Sequence, residues 1–259
     1  MRRLRRGKAK RQKELLILVT LALFSVLTVG YAAFQTNITL TSKGNVKKYK
    51  VTFDPNGGVL DKDSKYVGKV YGDLPTPTRE GYNFLGWNGK NVFPDSDLVT
   101  STKWTPNQNV EVTKTSDYTQ VIYKQTNSTP GYIYRYDNTV FEAGKTYTVS
   151  VLAKGINTNK LQLGIYGKIL NAWENLSTSD FTILTRTFTY ESQVQNFILF
   201  YQLGPNLNSG FQIKWIYIEE GSEATPYEPY YITSETEVVQ KQDHTLTAIW
   251  EEIPEEQIQ

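Results

Sequence analysis

Residues 49–87 read YKVTFDPNGGVLDKDSKYVGKVYGDLPTPTREGYNFLGW. Tyr49, Val51 and Phe53 alternate with polar residues, the period of a strand with one buried face. Asn56-Gly57-Gly58 supplies the positive-φ residues of a tight turn. Pro75 and Pro77 stiffen an extended crossover, and a short helix at 74–79 is the other reading of that segment. Gly81 and Gly86 let the backbone pass close to neighbours beside Tyr82 and Trp87. This is the start of a small sheet.

Outward from this stretch the pattern stays strand-like. Tyr147, Val149 and Val151 alternate with polar residues, as do Leu161, Leu163 and Ile165, then Leu184, Phe188 and Tyr190. FILFYQL (197–203) and KWIYI (214–218) are apolar on both faces, as central strands between two layers would be. Gly and Asn turn signals separate these runs, at Gly204-Pro205-Asn206 and Asn208-Ser209-Gly210 for example. The aromatic load (18 Tyr, 11 Phe and 5 Trp) suits pleated strands. Many short strands with frequent turns predict a mainly β chain built as a sandwich or barrel.

The 259 residues contain no Cys and one His. A disulfide scaffold, a thiol nucleophile, thiolate zinc and a His-rich metal centre are therefore excluded. The formal charge of +2 sums two unlike pieces. Eight of the 28 basic residues fall within 2–13, so the rest of the chain carries more acid than base. A mildly acidic body does not suit nucleic acid. The basic cluster precedes LLILVTLALFSVLTVGYAAF (15–34), an uncharged run that spans about 30 Å as a helix, the thickness of a hydrocarbon core. The cations are expected to stay on the cytoplasmic side and residues 35–259 outside. Residues 1–34 are thus a basic region plus a signal peptide or transmembrane helix. Gly30 and Ala32 permit cleavage after Ala32, and a retained anchor is the alternative. Residues 35–48 read as a linker and 251–259 as an acidic tail.

The strings VTFDPNGG (51–58), YGDLPTPTREGY (71–82) and FLGW (84–87) resemble the first part of the Listeria–Bacteroides surface repeat, also called the internalin B-type repeat. The resemblance implies a β-grasp-like fold with a closing strand after a short loop. That ending, DHTLTAIW (243–250), stands far downstream, with Trp250 as its last core aromatic. The repeat is therefore expected to be discontinuous, 49–87 with 232–250, and residues 88–231 to be an inserted domain. Such insertions cost little when the guest's ends are close, because closure entropy grows slowly with loop length. Within the insert, GKNVFPDSDL (89–98), FEAGKTYTVSVLAKG (141–155), LTRTFTY (184–190) and IKWIYIEEGSEATPYEPY (213–230) are similar in order to carbohydrate-binding jelly rolls, a galactose-binding-like sandwich. The segment GYAAFQTNITLTSKGNV (30–46) resembles leaders of exported surface proteins of Gram-positive bacteria. Together these imply an extracellular or membrane-held adhesion module whose partner is a glycan, a host molecule or another envelope ligand; the alternatives are a purely structural surface spacer or matrix subunit without a ligand and, behind it, a glycan-active enzyme.

No catalytic constellation stands out. His244 has no GxSxG serine or oriented acid to work with. Of the paired carboxylates, Glu219 and Glu220 are neighbours on one strand and point to opposite faces, and Asp61 and Asp63 sit in a polar loop. By analogy with the jelly rolls, Asp95, Asp97 and Glu219 would be the donors for a structural calcium, and no other cofactor is expected. Aromatic side chains are the expected ligand platform, since a sugar's C–H face covers a ring at a gain of about 1.5 kcal/mol for about 60 Å² buried. Trp173 lies in the loop-like NAWENLS (171–177) with Asn171 and Glu174 beside it. Tyr134, in the period-two series Tyr132, Tyr134, Tyr136, and Tyr201, on a strand of the sandwich, complete the candidate set. Packing is the competing role for each ring.

Overall fold

The structure is a computed structural model that describes residues 17–21, 47–124, 130–136, 141–165, 168–170, 172–191, 197–201 and 207–254. The chain divides into two compact units, residues 1–46 and residues 47–259. In the first, residues 17–21 form a helical turn. No helix among the described residues is long and apolar enough to cross a membrane. Most of the apolar run 15–34, the cleavage position after Ala32 and the last residues of the acidic tail lie outside the described residues.

The second unit is built from strands β1 (Tyr49–Asp54), β2 (Ser64–Val67), β3 (Tyr82–Asn88), β4 (Thr105–Pro106), β5 (Val110–Lys114), β6 (Thr119–Tyr123), β7 (Tyr132–Tyr136), β8 (Thr146–Ile156), β9 (Gln162–Ile165), β10 (Lys168–Ile169), β11 (Thr182–Thr189), β12 (Phe197–Tyr201), β13 (Gly210–Glu220) and β14 (His244–Glu252). They form a four-stranded sheet, β2-β1-β14-β3, and two five-stranded sheets, β10-β9-β12-β7-β4 and β11-β8-β13-β6-β5.

In the four-stranded sheet β14 lies between β1 and β3, parallel to the first and antiparallel to the second. Val51, Phe53, Leu246 and Ala248 line its buried face, with Tyr71, Trp87, Ile232 and Val238 packed beneath. Lys50, Thr52 and Thr245 face solvent, so the alternation read from β1 holds. The turn after β1 places Asn56 at φ 46° and Gly57 at φ 82°. Gly58 has a different task. A Cβ there would come within 2.6 Å of the Trp250 ring and 2.8 Å of the Thr78 carbonyl oxygen. Gly58→Ala is expected to cost about 2 kcal/mol through overpacking, read as a lower urea midpoint with unchanged slope. The crossover at 74–79 is extended rather than helical. Pro75 and Pro77 bias the residues before them away from the helical region, and Thr78 is instead held by a bridge to Val59.

The two five-stranded sheets face each other as an antiparallel sandwich with its own buried cluster. Ile133, Leu163 and Phe200 come from one sheet, and Val149, Val151 and Ile216 from the other. Phe200 sits 5.4 Å from Trp104 and 6.3 Å from Phe211, centroid to centroid, bridging the layers. KWIYI is apolar on both faces for a specific reason. Ile216 and Ile218 enter the sandwich, while Trp215 and Tyr217 are covered from outside by residues 221–231, whose Tyr227 stacks on Trp215 at 4.5 Å and meets Tyr217 edge-on at 5.9 Å.

The chain leaves the small sheet at the end of β3 and returns beside it. Ile232 bridges Trp87, and the Asn88 side chain donates to the Tyr230 carbonyl at 2.8 Å. Glu228, 1% exposed, sits between the four-stranded sheet and the sandwich. Its Oε1 accepts the Tyr71 hydroxyl at 2.9 Å, and its Oε2 accepts the Lys90 amide at 3.1 Å and the Gln240 side-chain amide at 3.0 Å. The Asn91 amide donates to the Glu228 carbonyl. Burial, followed by the Glu228 charge, pushes the Tyr71 hydroxyl well above its ordinary range, so it remains a donor.

Candidate functional site

β7 has the period of a half-buried strand. Ile133 and Arg135 point into the sandwich, where the Arg135 guanidinium pairs with Asp95 and lies 4.9 Å from the Phe93 ring centre. Tyr132, Tyr134 and Tyr136 therefore fall on the outer face. Their rings form a row with centroid spacings of 5.9 and 5.5 Å, each turned edge to face, and Tyr136 is 66% exposed. Edge-to-face contacts hold rings without covering them completely.

Neighbouring strands extend this face. Tyr201 of β12 is in register with Tyr132, and Gln162 of β9 is in register with Tyr201. Thr105 of β4 pairs with Tyr134 on the other side. Gln162 is 8% exposed. Its amide donates to the Leu170 carbonyl at 3.0 Å, and its Oε1 meets no donor among the described residues. A buried acceptor with no partner is costly, and a ligand hydroxyl could supply the donor. The arrangement places three aromatic rings, one amide and strand edges on one face.

The other expected contacts fall elsewhere. Trp173 is 4% exposed and belongs to the sandwich core. Residue 173 bridges Leu161, and its indole N–H donates to the Thr185 carbonyl at 3.1 Å. This corrects the expectation of a loop tryptophan open to ligand. A ring of this size gains more from burial with its N–H paired than from exposure. Glu174 is exposed and pairs with Lys160 at 3.0 Å. Asn171 lies outside the described residues. The Tyr201 side chain does too, and only its strand position is described.

The calcium donors do not gather either. Among the described residues no group of three or more His, Asp or Glu is placed to hold a metal. Residue 97 bridges Trp215, four positions along β13 from Glu219, which is about 13 Å of strand. Each carboxylate is already engaged. Glu219 accepts the Thr225 amide and hydroxyl, both at 2.7 Å, Asp97 accepts the Val99 amide and the Thr100 hydroxyl, and Asp95 pairs with Arg135. These residues do not fit a calcium site. Asp95 and Asp97 instead border a groove of about 410 Å³ with Tyr230 and Tyr231 on its other wall.

His244 opens β14, with Nε2 2.9 Å from the Tyr71 hydroxyl and Nδ1 2.9 Å from the Gln242 carbonyl oxygen. It joins the Glu228–Tyr71 contact rather than a serine. Glu220 pairs with Lys145 on the face opposite Glu219. Sequence reasoning missed Glu228, Tyr71 and Gln240 as a group and missed Gln162. For Gln162 the available signal was a lone amide among the apolar residues 161–165.

Residues 49–119 match the family model of the Listeria-Bacteroides repeat domain, the family to which the VTFDPNGG string pointed. The match continues past β3 through Phe93, Leu98 and Trp104, which in this chain pack in the sandwich core. A putative membrane protein of Evansella cellulosilytica is 36% identical over 69 residues, which is 26% of this chain and 10% of that protein. The match thus spans about a tenth of that relative's length. Among solved structures, BiXyn10A CBM1 in its apo form is 16% identical, with a TM-score of 0.40 over 48% of this chain and 95% of that one. The CBM22-1 xylan-binding domain of Paenibacillus barcinonensis Xyn10C is 13% identical, with a TM-score of 0.35 over 57% and 100%. The second N-terminal cellulose-binding domain of Cellulomonas fimi β-1,4-glucanase C is 13% identical, with a TM-score of 0.40 over 52% and 97%.

Proposed function

We propose that this chain is a non-catalytic carbohydrate-binding surface protein. In this reading residues 49–87 and 232–250 form one repeat body, and residues 88–231 are a guest sandwich that carries the ligand face. The carrying observation is the row Tyr132, Tyr134, Tyr136 on the outside of β7, beside the Gln162 oxygen that has no partner among the described residues. A neutral polysaccharide would lie along the rings, C–H faces down, with hydroxyls toward Gln162 and Thr105. Residues 15–34 would deliver the module to the outer side of the membrane, as an anchor or as a cleaved signal, for adhesion to a glycan-bearing partner.

The test is affinity electrophoresis and calorimetry of the full chain with soluble β-xylan, β-glucan and mannan. Stacking on one ring is worth about 1.5 kcal/mol, so Tyr134→Ala is expected to weaken binding about tenfold with an unchanged melting temperature. If none of the polysaccharides binds, the reading fails. The second reading, a spacer without ligand, is favoured by the buried contacts around Glu228, which fix one body against the other.

A further inference from the structure

The opposite sheet of the sandwich carries a polar row that no part of the tyrosine face uses. Thr113, Gln120, Gln212 and Lys154 stand side by side in register across β5, β6, β13 and β8. Their inward neighbours Val121, Ile213 and Ala153 are in the core, so the row lies on the outer face. Three strand spacings make it about 14 Å long, roughly three pyranose rings. At the β8 end stands Phe181, 5.9 Å from the Tyr118 ring. The Lys154 ammonium lies 5.5 Å and the Lys214 ammonium 4.7 Å from the Phe181 ring centre. The register shift between Ile213 and Trp215 places Lys214 at a bulge, a feature that re-aims side chains.

Two further observations give this row the character of a site. Gln212 is 8% exposed. Its amide donates to the Gln120 oxygen at 2.8 Å, and its own Oε1 meets no donor among the described residues. Among the described residues no carboxylate pairs with Lys154, whereas Lys214 has Asp117 at 2.5 Å. Asp180, next to Phe181, accepts the Ser179 hydroxyl, and Glu111 stands exposed two positions from Thr113 at the β5 end of the row. Two cations stand over one ring on an otherwise acidic body, one shared with Asp117 and the other without a carboxylate partner among the described residues, a setting that suits an anion attached to something flat and hydroxylated.

We propose that this outer face of β11-β8-β13-β6-β5 is a second binding surface, for an acidic polysaccharide whose carboxylate or phosphate groups meet Lys154 and Lys214. Its hydroxyls run along Gln212, Gln120 and Thr113. Lysine stems are flexible. As they turn toward the anion, a sugar hydroxyl gains access to the Gln212 oxygen and provides its missing donor. The surface is independent of the tyrosine row and stands whether or not that row binds.

The experiment is affinity electrophoresis of the full chain in gels containing polygalacturonate, poly(glycerol phosphate) or neutral dextran, at two salt concentrations. Retardation is expected with one or both anionic polymers and not with dextran, weakening as salt rises. The Lys154→Gln/Lys214→Gln double variant is expected to lose at least tenfold in affinity, and Phe181→Ala several-fold, both with wild-type melting curves. Retardation by neither anionic polymer overturns the proposal. Equal retardation of wild type and both variants also overturns it, because the basic residues at 2–13 would then be the ones holding the polymer.

Discussion

Truncation of the chain after Gln242 is expected to unfold the four-stranded sheet and to leave the sandwich folded. The strand removed, β14, is an inner strand: it carries the parallel ladder to β1 and the antiparallel ladder to β3. Without it, β1 keeps only its partner β2, and β3 keeps no strand partner. An isolated two-stranded hairpin is marginal in water. The loss of Leu246, Ala248 and the half-buried Trp250 ring removes about 5 kcal/mol of apolar burial at once. That is comparable to the whole stability of a small domain. Hydrogen exchange read by mass spectrometry gives the check. Amides of β1 and β3 should lose protection by several orders of magnitude, while those of β8 and β13 should hold theirs. Unchanged protection in β1 would mean that β1–β3 fold without the distant strand.

The second large effect is expected at Glu228. Glu228→Ala leaves the Lys90 amide and the Gln240 side-chain amide without this acceptor in a site that is 1% exposed, and leaves the Tyr71 hydroxyl only His244 Nε2. Removing one partner from a buried network costs the desolvation of what remains, about 3 kcal/mol for two neutral donors left unpaired. Glu228→Gln keeps the shape but turns one acceptor into a donor aimed at donors, and about 2 kcal/mol is expected to be lost. The wild type should melt as one transition. Glu228→Ala should melt as two, because the contact that couples the bodies is gone while their separate cores are intact. Calorimetry distinguishes these outcomes. A single transition at the wild-type temperature would show that the bodies are coupled elsewhere.

The legible parts of the chain were those where neighbours in sequence decide the structure. The Asn56-Gly57 turn, the alternation of β1 and the outward tyrosines of β7 all follow from local spacing, and they stand where spacing put them. Trp173 was misread because its polar neighbours Asn171, Glu174 and Asn175 announce a loop. The bridge that draws it inward comes from Leu161, and the carbonyl that receives its N–H belongs to Thr185. Asp95, Asp97 and Glu219 had the right chemistry for calcium, but distances between strands are set by register, and register does not show in residue type. The Glu228 group was invisible for the same reason: Tyr71 lies 157 positions from its acceptor. At 74–79 the two prolines argued against a helix, and they decided the outcome.

The parallel pairing of β1 with β14 has a mechanical meaning. A pull applied at residues 47 and 254 acts along those two strands in opposite directions, so their ladder is loaded in shear and its bonds share the force together. The sandwich, attached through neighbouring connections at 88 and 232, lies outside that line of tension. A ligand gripped by the sandwich would therefore remain on a relaxed scaffold while the four-stranded sheet bears the strain.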